Sequence, residues 1–232
     1  MSNNKLENNN TNYEITQIKD DILGNKDEKV HKVIFVGDSG VGKTSLSIMA
    51  TKGLFNSQSR ATVGFDIFNY AAKINNEITI KLQIWDTCGL EEFNSCTTNL
   101  YKQASLAIIV YAINDYNSFN NIQKWVNLVK KHASPEVLIF VVGNKCDLEN
   151  DRKVAKEAGE QMIRECNFGF FAETSAKDNI FVQELFKEGI IQLFELYKKY
   201  QNNNQEGQRE ELVKGKLTKS KNKNDKNRKK CC

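Results

Sequence analysis

Short apolar runs alternate with amphipathic stretches along most of the chain from His31 onward. Runs of strand length occur at His31–Gly37, Leu106–Ala112 and Val137–Gly143, and segments with apolar side chains at helical spacing separate them. Continuous apolar strands that alternate with helices are typical of a mostly parallel sheet buried on both faces. The pattern therefore predicts an α/β fold with a doubly wound sheet and helices on both sides.

The remaining elements complete a six-stranded sheet. Strands Phe65–Ile74 and Glu77–Trp85 are predicted as a hairpin across Asn75-Asn76, because asparagine tolerates the positive φ of a tight turn. This hairpin adds one antiparallel edge strand, and Phe168–Ala172 is the last strand. The predicted helices follow the first strand as far as Lys52, follow an N-cap at Ser118, and cover 152–166 and Ile180–Tyr200.

Composition divides the chain into three parts. Residues 1–29 are polar and rich in asparagine, which predicts a flexible N-terminal arm. The patterned segment 30–200 is predicted to be one domain, and 201–232 a flexible basic tail. The apolar runs are too short to span a bilayer, and the first residues lack the apolar region of a signal peptide. We therefore expect a cytosolic protein with no leader.

The net charge of +4 conceals an asymmetry. Residues 213–230 carry a net charge of +8, so the rest of the chain carries −4. A slightly acidic domain with a basic tail disfavours nucleic-acid binding. The six cysteines form no C-x-x-C pair, which disfavours a disulfide scaffold or a zinc site.

The strongest motif is Gly37-x-x-x-x-Gly42-Lys43-Thr44, which follows a strand and precedes a helix. This is a phosphate-binding loop, typical of P-loop nucleotide hydrolases: its backbone N–H groups surround the phosphates, Lys43 reaches the β- and γ-phosphates, and the Thr44 hydroxyl binds Mg²⁺. The flanking elements disfavour the alternative of a chance glycine-rich turn. The predicted phosphate-side residues are Asp38, Ser39, Gly40, Val41, Gly42, Lys43, Thr44 and Ser45.

A second motif, Asn144-Lys145-Cys146-Asp147, favours guanine as the base. A carboxylate there accepts from both N1–H and the exocyclic amine of guanine, a donor pair that adenine lacks. Thr174-Ser175-Ala176-Lys177 supports the same pocket with backbone N–H groups and the lysine stem. The predicted base-side residues are Asn144, Lys145, Asp147, Ser175, Ala176 and Lys177.

Three further residues are predicted around the γ-phosphate. Asp86, at the end of a strand, is expected to hold Mg²⁺, with water between them, and the Gly89 N–H to meet the γ-phosphate. Thr62 lies 19 residues after Lys43, and its hydroxyl completes the Mg²⁺ shell only when a γ-phosphate is present. Such a conditional contact predicts a switch that is ordered with GTP and released with GDP.

In these motifs and their order, the chain resembles Ras-superfamily small GTPases, and most of all the Rab family. The resemblance covers roughly residues 30–200, and Trp85-Asp86-Thr87 and the final Cys231-Cys232 are Rab-like details. It implies a GTP hydrolase with GTP or GDP and Mg²⁺ bound, acting in vesicle traffic. It also implies that Phe55 stacks on the guanine, although a core aromatic is an alternative there.

The sequence departs from the Rab pattern at Leu90, which stands where the family has a glutamine that orients the attacking water. We therefore expect slow intrinsic hydrolysis, although some activating proteins of this family supply a glutamine and an arginine in trans. With Leu90, the predicted catalytic residues are Lys43, Thr62 and Gly89. Arg60 is either an internal arginine finger or, as its loop position favours, a solvated side chain.

Cys231 and Cys232 follow a basic run, which predicts double prenylation and attachment to the cytoplasmic face of an endomembrane. Incidental cysteines are the alternative. The resemblance implies a monomer that cycles with the cytosol. It implies binding to an exchange factor, an activating protein, a dissociation inhibitor or escort protein, and effectors through residues 60–70 and 86–104.

Two other functions stay open at this stage. One is a GTP-loaded membrane module with negligible hydrolysis, which Leu90 favours. The other is a small-molecule kinase, which the guanine motif and the lack of an arginine-rich lid disfavour.

Overall fold

A seven-stranded sheet forms the centre of the fold in the computed structural model, which describes residues 13–18, 30–57, 62–88, 97–166 and 168–200. The strands are β1 (Ile15–Ile18), β2 (Val30–Val36), β3 (Phe65–Ile74), β4 (Ile78–Thr87), β5 (Ala104–Ala112), β6 (Leu138–Asn144) and β7 (Phe170–Thr174). Their order is β1-β3-β4-β2-β5-β6-β7. From β4 across to β7 each neighbouring pair is parallel, whereas β3 runs antiparallel to β4 and β1.

The predicted six-strand count is wrong because β1 comes from the segment predicted to be a loose arm. Ile15 to Ile18 pair in register with Ile74 to Ala71 of β3. The Asn75 side chain and backbone each bond to the Glu14 backbone and so close the end of the pairing. Residues 15–18 are therefore part of the sheet, and the antiparallel edge has two strands.

The helices lie between the strands in sequence. They are α1 (Lys43–Lys52), α2 (Thr97–Tyr101), α3 (Tyr116–Asn120), α4 (Ile122–His132), α5 (Lys156–Cys166) and α6, of which 182–191 belong to the first compact unit of the chain. That unit ends at Ile191, and in the second unit residues 192–200 are also helical. The division into 1–29, 30–200 and 201–232 otherwise stays a prediction.

Neighbouring side chains of β2 point to opposite faces of the sheet, as a strand buried on both sides requires. Ile34 and Val36 belong to a buried cluster that includes Trp125 and Val126 of α4. Phe35 instead stacks on Phe186 of α6 at a centroid distance of 6.1 Å. The predicted doubly wound architecture is therefore confirmed.

Several predicted boundaries differ from the observed ones. Asp115, not Ser118, caps the helix after β5, and this helix breaks at Asn121. The last strand begins two residues later than predicted, and the final helix begins at residue 182, after Phe181 takes a positive φ of 57°. The predicted turn at Asn75-Asn76 is confirmed, with φ values of 50° and 59°. None of the helices that the structure describes has the length and apolar character needed to cross a bilayer.

Candidate nucleotide-binding site

A cavity of about 460 Å³ lies beyond the carboxyl ends of β2, β4, β6 and β7, where ligands bind in open α/β sheets. The loops after these strands carry the predicted motifs. Of the predicted site residues, those lining the cavity are Ser39, Gly40, Gly42, Lys43, Thr44, Ser45, Phe55, Thr62, Asn144, Lys145, Asp147, Ala176 and Lys177.

Lys43 lies at the start of α1, and its side chain folds back over the phosphate loop. Its Nζ donates to the carbonyl oxygens of Gly37 and Asp38, at 2.8 and 2.7 Å. Burial lowers the pKa of Lys43 to about 8, although the nearby carboxylate of Asp86 acts in the opposite direction. Among the described residues this buried ammonium donates to carbonyl oxygens alone, and it can exchange these neutral acceptors for the charged oxygens of a phosphate.

Three oxygens converge beside Lys43. The Thr44 hydroxyl donates to Asp86 Oδ2 at 2.5 Å and lies 2.7 Å from the Thr62 hydroxyl oxygen. Asp86 is completely buried, its Oδ1 has no hydrogen-bond partner among the described residues, and burial raises its pKa to about 6. Hydroxyl and carboxylate oxygens are the ligands that Mg²⁺ prefers, and a cation would relieve the buried charge. The residues present therefore fit a Mg²⁺ site.

Asn144, at the end of β6, ties the two halves of the site together. Its Nδ2 donates to the Val41 carbonyl at 2.9 Å, and its Oδ1 accepts from the Thr174 hydroxyl and the Ala176 N–H at 3.2 and 3.3 Å. A Cβ at Gly42 would collide with this amide. The Asn144 side chain thus links the phosphate loop to the segment after β7, and three of its four hydrogen-bonding positions are used within the protein.

Asp147 presents its carboxylate at the opposite end of the cavity, with its side chain only 8% exposed. Oδ1 accepts from the Ser175 hydroxyl at 2.6 Å, and Lys177 Nζ lies 3.9 Å from Oδ2. A carboxylate has about four acceptor positions, so capacity remains for two donors on a ligand. The arrangement suits a base with two adjacent N–H donors.

The Ras-family sequence model matches residues 32–195, well over half of the chain. The chain belongs to the Ras family. Among its relatives, Ras-related protein Rab-13 of Rattus norvegicus is 44% identical over 159 residues, which cover 68% of this chain and 77% of that protein. Ras-related protein Rab-10 of Diplobatis ommata is 42% identical over 164 residues, or 69% and 81% of the two chains. This small GTPase is thus most like the Rabs, a family of GTP hydrolases associated with vesicle trafficking that bind GTP or GDP and Mg²⁺.

The structure of this small GTPase corrects some of the predicted roles and leaves others untested. Phe55 is 40% exposed and lines the cavity, so the alternative of a core aromatic is wrong. Four predicted residues do not line the cavity, namely Asp38, Val41, Asp86 and Ser175. Five predicted or considered residues lie outside the described ones, namely Arg60, Gly89, Leu90, Cys231 and Cys232.

Sequence reasoning missed some residues of this GTPase's site. Leu148 and Thr87 line the cavity directly beside predicted residues, so adjacency in the chain was the available signal. The other missed lining residues are Asn56 and Ser57. Asn121 and Trp125 donate to the side chain of Asp38, and no motif or spacing in the sequence indicates that contact.

Proposed function

We propose that this small GTPase is a Mg²⁺-dependent guanine-nucleotide switch that hydrolyses GTP slowly and recruits effectors at a membrane. The observation that carries the proposal is that Lys43, Thr44, Thr62 and Asp147 line one cavity, with Asp86 bonded to Thr44 behind its wall. Phosphate-binding, metal-binding and base-binding groups are thus arranged along a single nucleotide-sized space.

The base end favours guanine. With Oδ1 of Asp147 held by Ser175, the carboxylate is fixed before a ligand arrives, so little entropy is lost in ordering it. An adenine would leave this largely buried carboxylate without its two donors, which is costly. The same argument disfavours an ATP-dependent kinase.

The phosphate end supports hydrolysis of GTP to GDP and phosphate. Lys43 would exchange two carbonyl partners for β- and γ-phosphate oxygens and so stabilise the charge on the leaving group. Thr44, Thr62 and Asp86 would hold the Mg²⁺, which neutralises charge on the phosphates. In the family pattern the Gly89 N–H would meet the γ-phosphate.

Leu90 is the reason to expect slow turnover. A leucine can neither donate to the attacking water nor accept from it, and losing one such oriented contact costs about 10²–10³ in rate. The second candidate function, a GTP-loaded membrane module with negligible hydrolysis, rests on the same residue. An activating protein that supplies a glutamine in trans would restore turnover.

Apolar residues next to Thr62 support a partner surface within residues 60–70. Val63, Phe65 and Ile67 are 96%, 47% and 44% exposed, and Phe65 stacks on Trp85 at 5.0 Å. A contiguous exposed apolar patch marks an interaction site more often than a solvated face. Since this patch adjoins Thr62, the nucleotide state would control its shape through the Thr44–Thr62 contact.

The tail supports membrane attachment. Two prenyl groups on Cys231 and Cys232, or one together with the basic run 213–230, would hold the protein firmly at an anionic leaflet, whereas one chain alone binds only marginally. Exchange factors, activating proteins and an escort or dissociation inhibitor would act on this switch, as on other Rabs.

Base recognition is tested by binding of fluorescent GDP and ADP to the full chain. Wild-type protein should bind GDP and not ADP, and Asp147→Asn should weaken GDP binding by about 10² or more, because two hydrogen bonds to a charge are lost. Asp151→Asn is the matched control, since Asp151 is exposed outside the cavity. Equal affinities of the two variants for GDP would refute the assignment of Asp147.

Hydrolysis is tested in a single turnover of bound GTP with Mg²⁺. Leu90→Gln should be faster than wild type by at least a factor of about ten, and Ile78→Gln, an exposed apolar position in the hairpin, should match wild type. If wild type shows no turnover at all, the second candidate is favoured. If wild type and Leu90→Gln hydrolyse GTP equally fast, Leu90 is not the cause of slow hydrolysis.

A further inference from the structure

Asp38, the second residue of the phosphate loop, is held by two donors that no nucleotide-binding motif contains. Its Oδ1 accepts from the indole Nε1–H of Trp125 at 2.8 Å, and its Oδ2 accepts from the Asn121 amide at 2.7 Å. Both oxygens of the carboxylate are therefore directed at the α3–α4 junction. In agreement, Asp38 is not among the residues that line the nucleotide cavity.

The backbone of the same residue contacts the lysine of the loop. The Asp38 carbonyl accepts from Lys43 Nζ at 2.7 Å, next to the Gly37 carbonyl at 2.8 Å. Fixing the Asp38 side chain restricts rotation of its peptide unit, so it also restricts where Lys43 finds its acceptors. The contact also turns a negative charge away from a loop that must accept phosphates.

The two donors come from well-anchored positions. Trp125 is 3% exposed in the apolar face of α4, which is packed into the core beneath β2 and β5. Asn121 stands where α3 ends and α4 begins, and its N–H closes α3 on Asn117. Asp115 caps α3, and the Ser118 hydroxyl bridges the Asp115 carbonyl and the Ala112 N–H. These contacts fix the turn that directs Asn121 at Asp38.

We propose that Trp125 and Asn121 are positioning residues for nucleotide binding, which clamp the phosphate loop through the Asp38 carboxylate. The proposal rests on the proposed guanine-nucleotide function and deepens it. The clamp sets how firmly the loop holds the phosphates, so it acts on the rate at which nucleotide leaves.

The test is the dissociation rate of fluorescent GDP from the full chain with Mg²⁺. Trp125→Phe keeps an aromatic side chain but removes the indole N–H together with the five-membered ring, and it should speed GDP release about tenfold, as expected for the loss of a hydrogen bond to a charged group. Trp85→Phe is the matched control. Trp85 is the only other tryptophan of the chain, and its indole N–H donates to Gln83 on β4 rather than to the phosphate loop. The control should release GDP at the wild-type rate.

A swap of the paired groups separates positioning from packing. Asp38→Asn alone removes the negative charge and one of the two acceptor oxygens that Trp125 and Asn121 use, so it should speed release. Adding Asn121→Asp lets the new amide at position 38 donate to the new carboxylate at position 121, while the amide oxygen at position 38 still accepts from Trp125. The double variant should therefore return toward the wild-type rate. In the Trp85→Phe background, emission from Trp125 should change when GDP leaves, and Asp38→Ala should abolish that change.

Three results decide the proposal. Faster release from Trp125→Phe, with recovery in the swapped pair, supports it. A lower melting temperature with an unchanged release rate in both Trp125→Phe and Asn121→Ala overturns it, since the contacts would then only stabilise the fold. Failure of wild-type protein to bind GDP would refute the proposed function itself. The first two results test the clamp alone and leave the proposed function standing.

Discussion

Asn144 illustrates how a motif residue that lines the cavity can also hold the surrounding loops together. Its three hydrogen bonds join segments separated by more than one hundred residues, from Val41 in the phosphate loop to Thr174 at the end of β7. The motif around Asn144 predicts guanine as the base, and the carboxylate of Asp147 is well placed to accept hydrogen bonds from it. The sequence has no signal for the inward turn of the Asn144 side chain, because that contact depends on how β2 and β6 are arranged across the sheet.

We expect Asn144→Ala to release GDP about 10 to 100 times faster than wild type. Removing the amide leaves the Val41 carbonyl and the Thr174 hydroxyl without their buried partner, and each such loss costs about 1–3 kcal/mol. Asn150→Ala, on the exposed turn after the same motif, is the control. Equal release rates from the two variants, measured with fluorescent GDP, would contradict a tethering role.

Tyr111 carries a buried hydroxyl for which the described residues offer no hydrogen-bond partner. The side chain is completely buried, and its hydroxyl lies against the backbone of Gly143 and Gly159. We expect Tyr111→Phe to raise the free energy of unfolding by about 1 kcal/mol, since it removes an unsatisfied polar atom and keeps the ring. Urea denaturation measures the change, and a loss of stability would mean that the hydroxyl has a partner such as a buried water.

At the scale of elements, β1 closes part of the sheet edge that β3 would otherwise present. Ile15 and Ile18 are half-buried, and the Gln17 amide donates to the Ala50 carbonyl near the end of α1, at 3.2 Å. Four residues of mixed polarity within an asparagine-rich segment give too weak a periodicity to predict a strand. Residues 15–18 form a strand because the edge of β3 supplies their hydrogen-bond partners. The local sequence of residues 15–18 contains no sign of that edge.

Removal of residues 1–18 should lower the free energy of unfolding by about 2 kcal/mol, roughly the contribution of two half-buried isoleucines and a few net hydrogen bonds. Removal of residues 1–12 leaves β1 in place and should have little effect. Hydrogen exchange should show faster exchange at residues 71–74 only in the longer truncation. The same stability in both truncations would mean that β1 contributes nothing to the fold.

The split between α3 and α4 was also beyond the reach of local pattern. Ser118 precedes an apolar period and looks like an N-cap, but Asp115 accepts from two backbone N–H groups and starts the helix three residues earlier. The break at Asn121 interrupts no apolar position, because Ile122, Trp125 and Val129 all remain buried. Core strands and their order along the chain, by contrast, were predictable, since long apolar runs have few alternatives to a buried strand.

For the whole molecule, buried tyrosines limit stability at high pH. Burial raises the pKa of Tyr70 and of Tyr101 to about 12, and burial also raises the pKa of Tyr111. Unfolded tyrosines lose their protons near pH 10, whereas these stay protonated in the folded state, so the unfolded state binds fewer protons above pH 10. The free energy of unfolding should therefore fall as pH rises from about 10 to 12.

The expected slope is up to about 1.4 kcal/mol per pH unit for each of these tyrosines. Urea denaturation between pH 9 and 11 measures it, and phenolate absorbance should rise together with unfolding. Tyr101→Phe removes one of these titrating groups, so it should make the slope shallower by the contribution of one proton. Full phenolate absorbance near pH 10 in a protein that stays folded would contradict the burial of these groups.

The position of β1 also affects how the chain folds during synthesis. Glu14 and Asn75, whose contacts close the β1–β3 pairing, are 61 residues apart in the chain. A ribosome adds about 5–20 residues per second, so β1 waits roughly 3–12 seconds before its partner exists. During that interval the polar composition around β1 keeps the nascent segment soluble. An edge strand of the finished sheet is thus made before the strand with which it pairs, and it can be added only after β3 has been made.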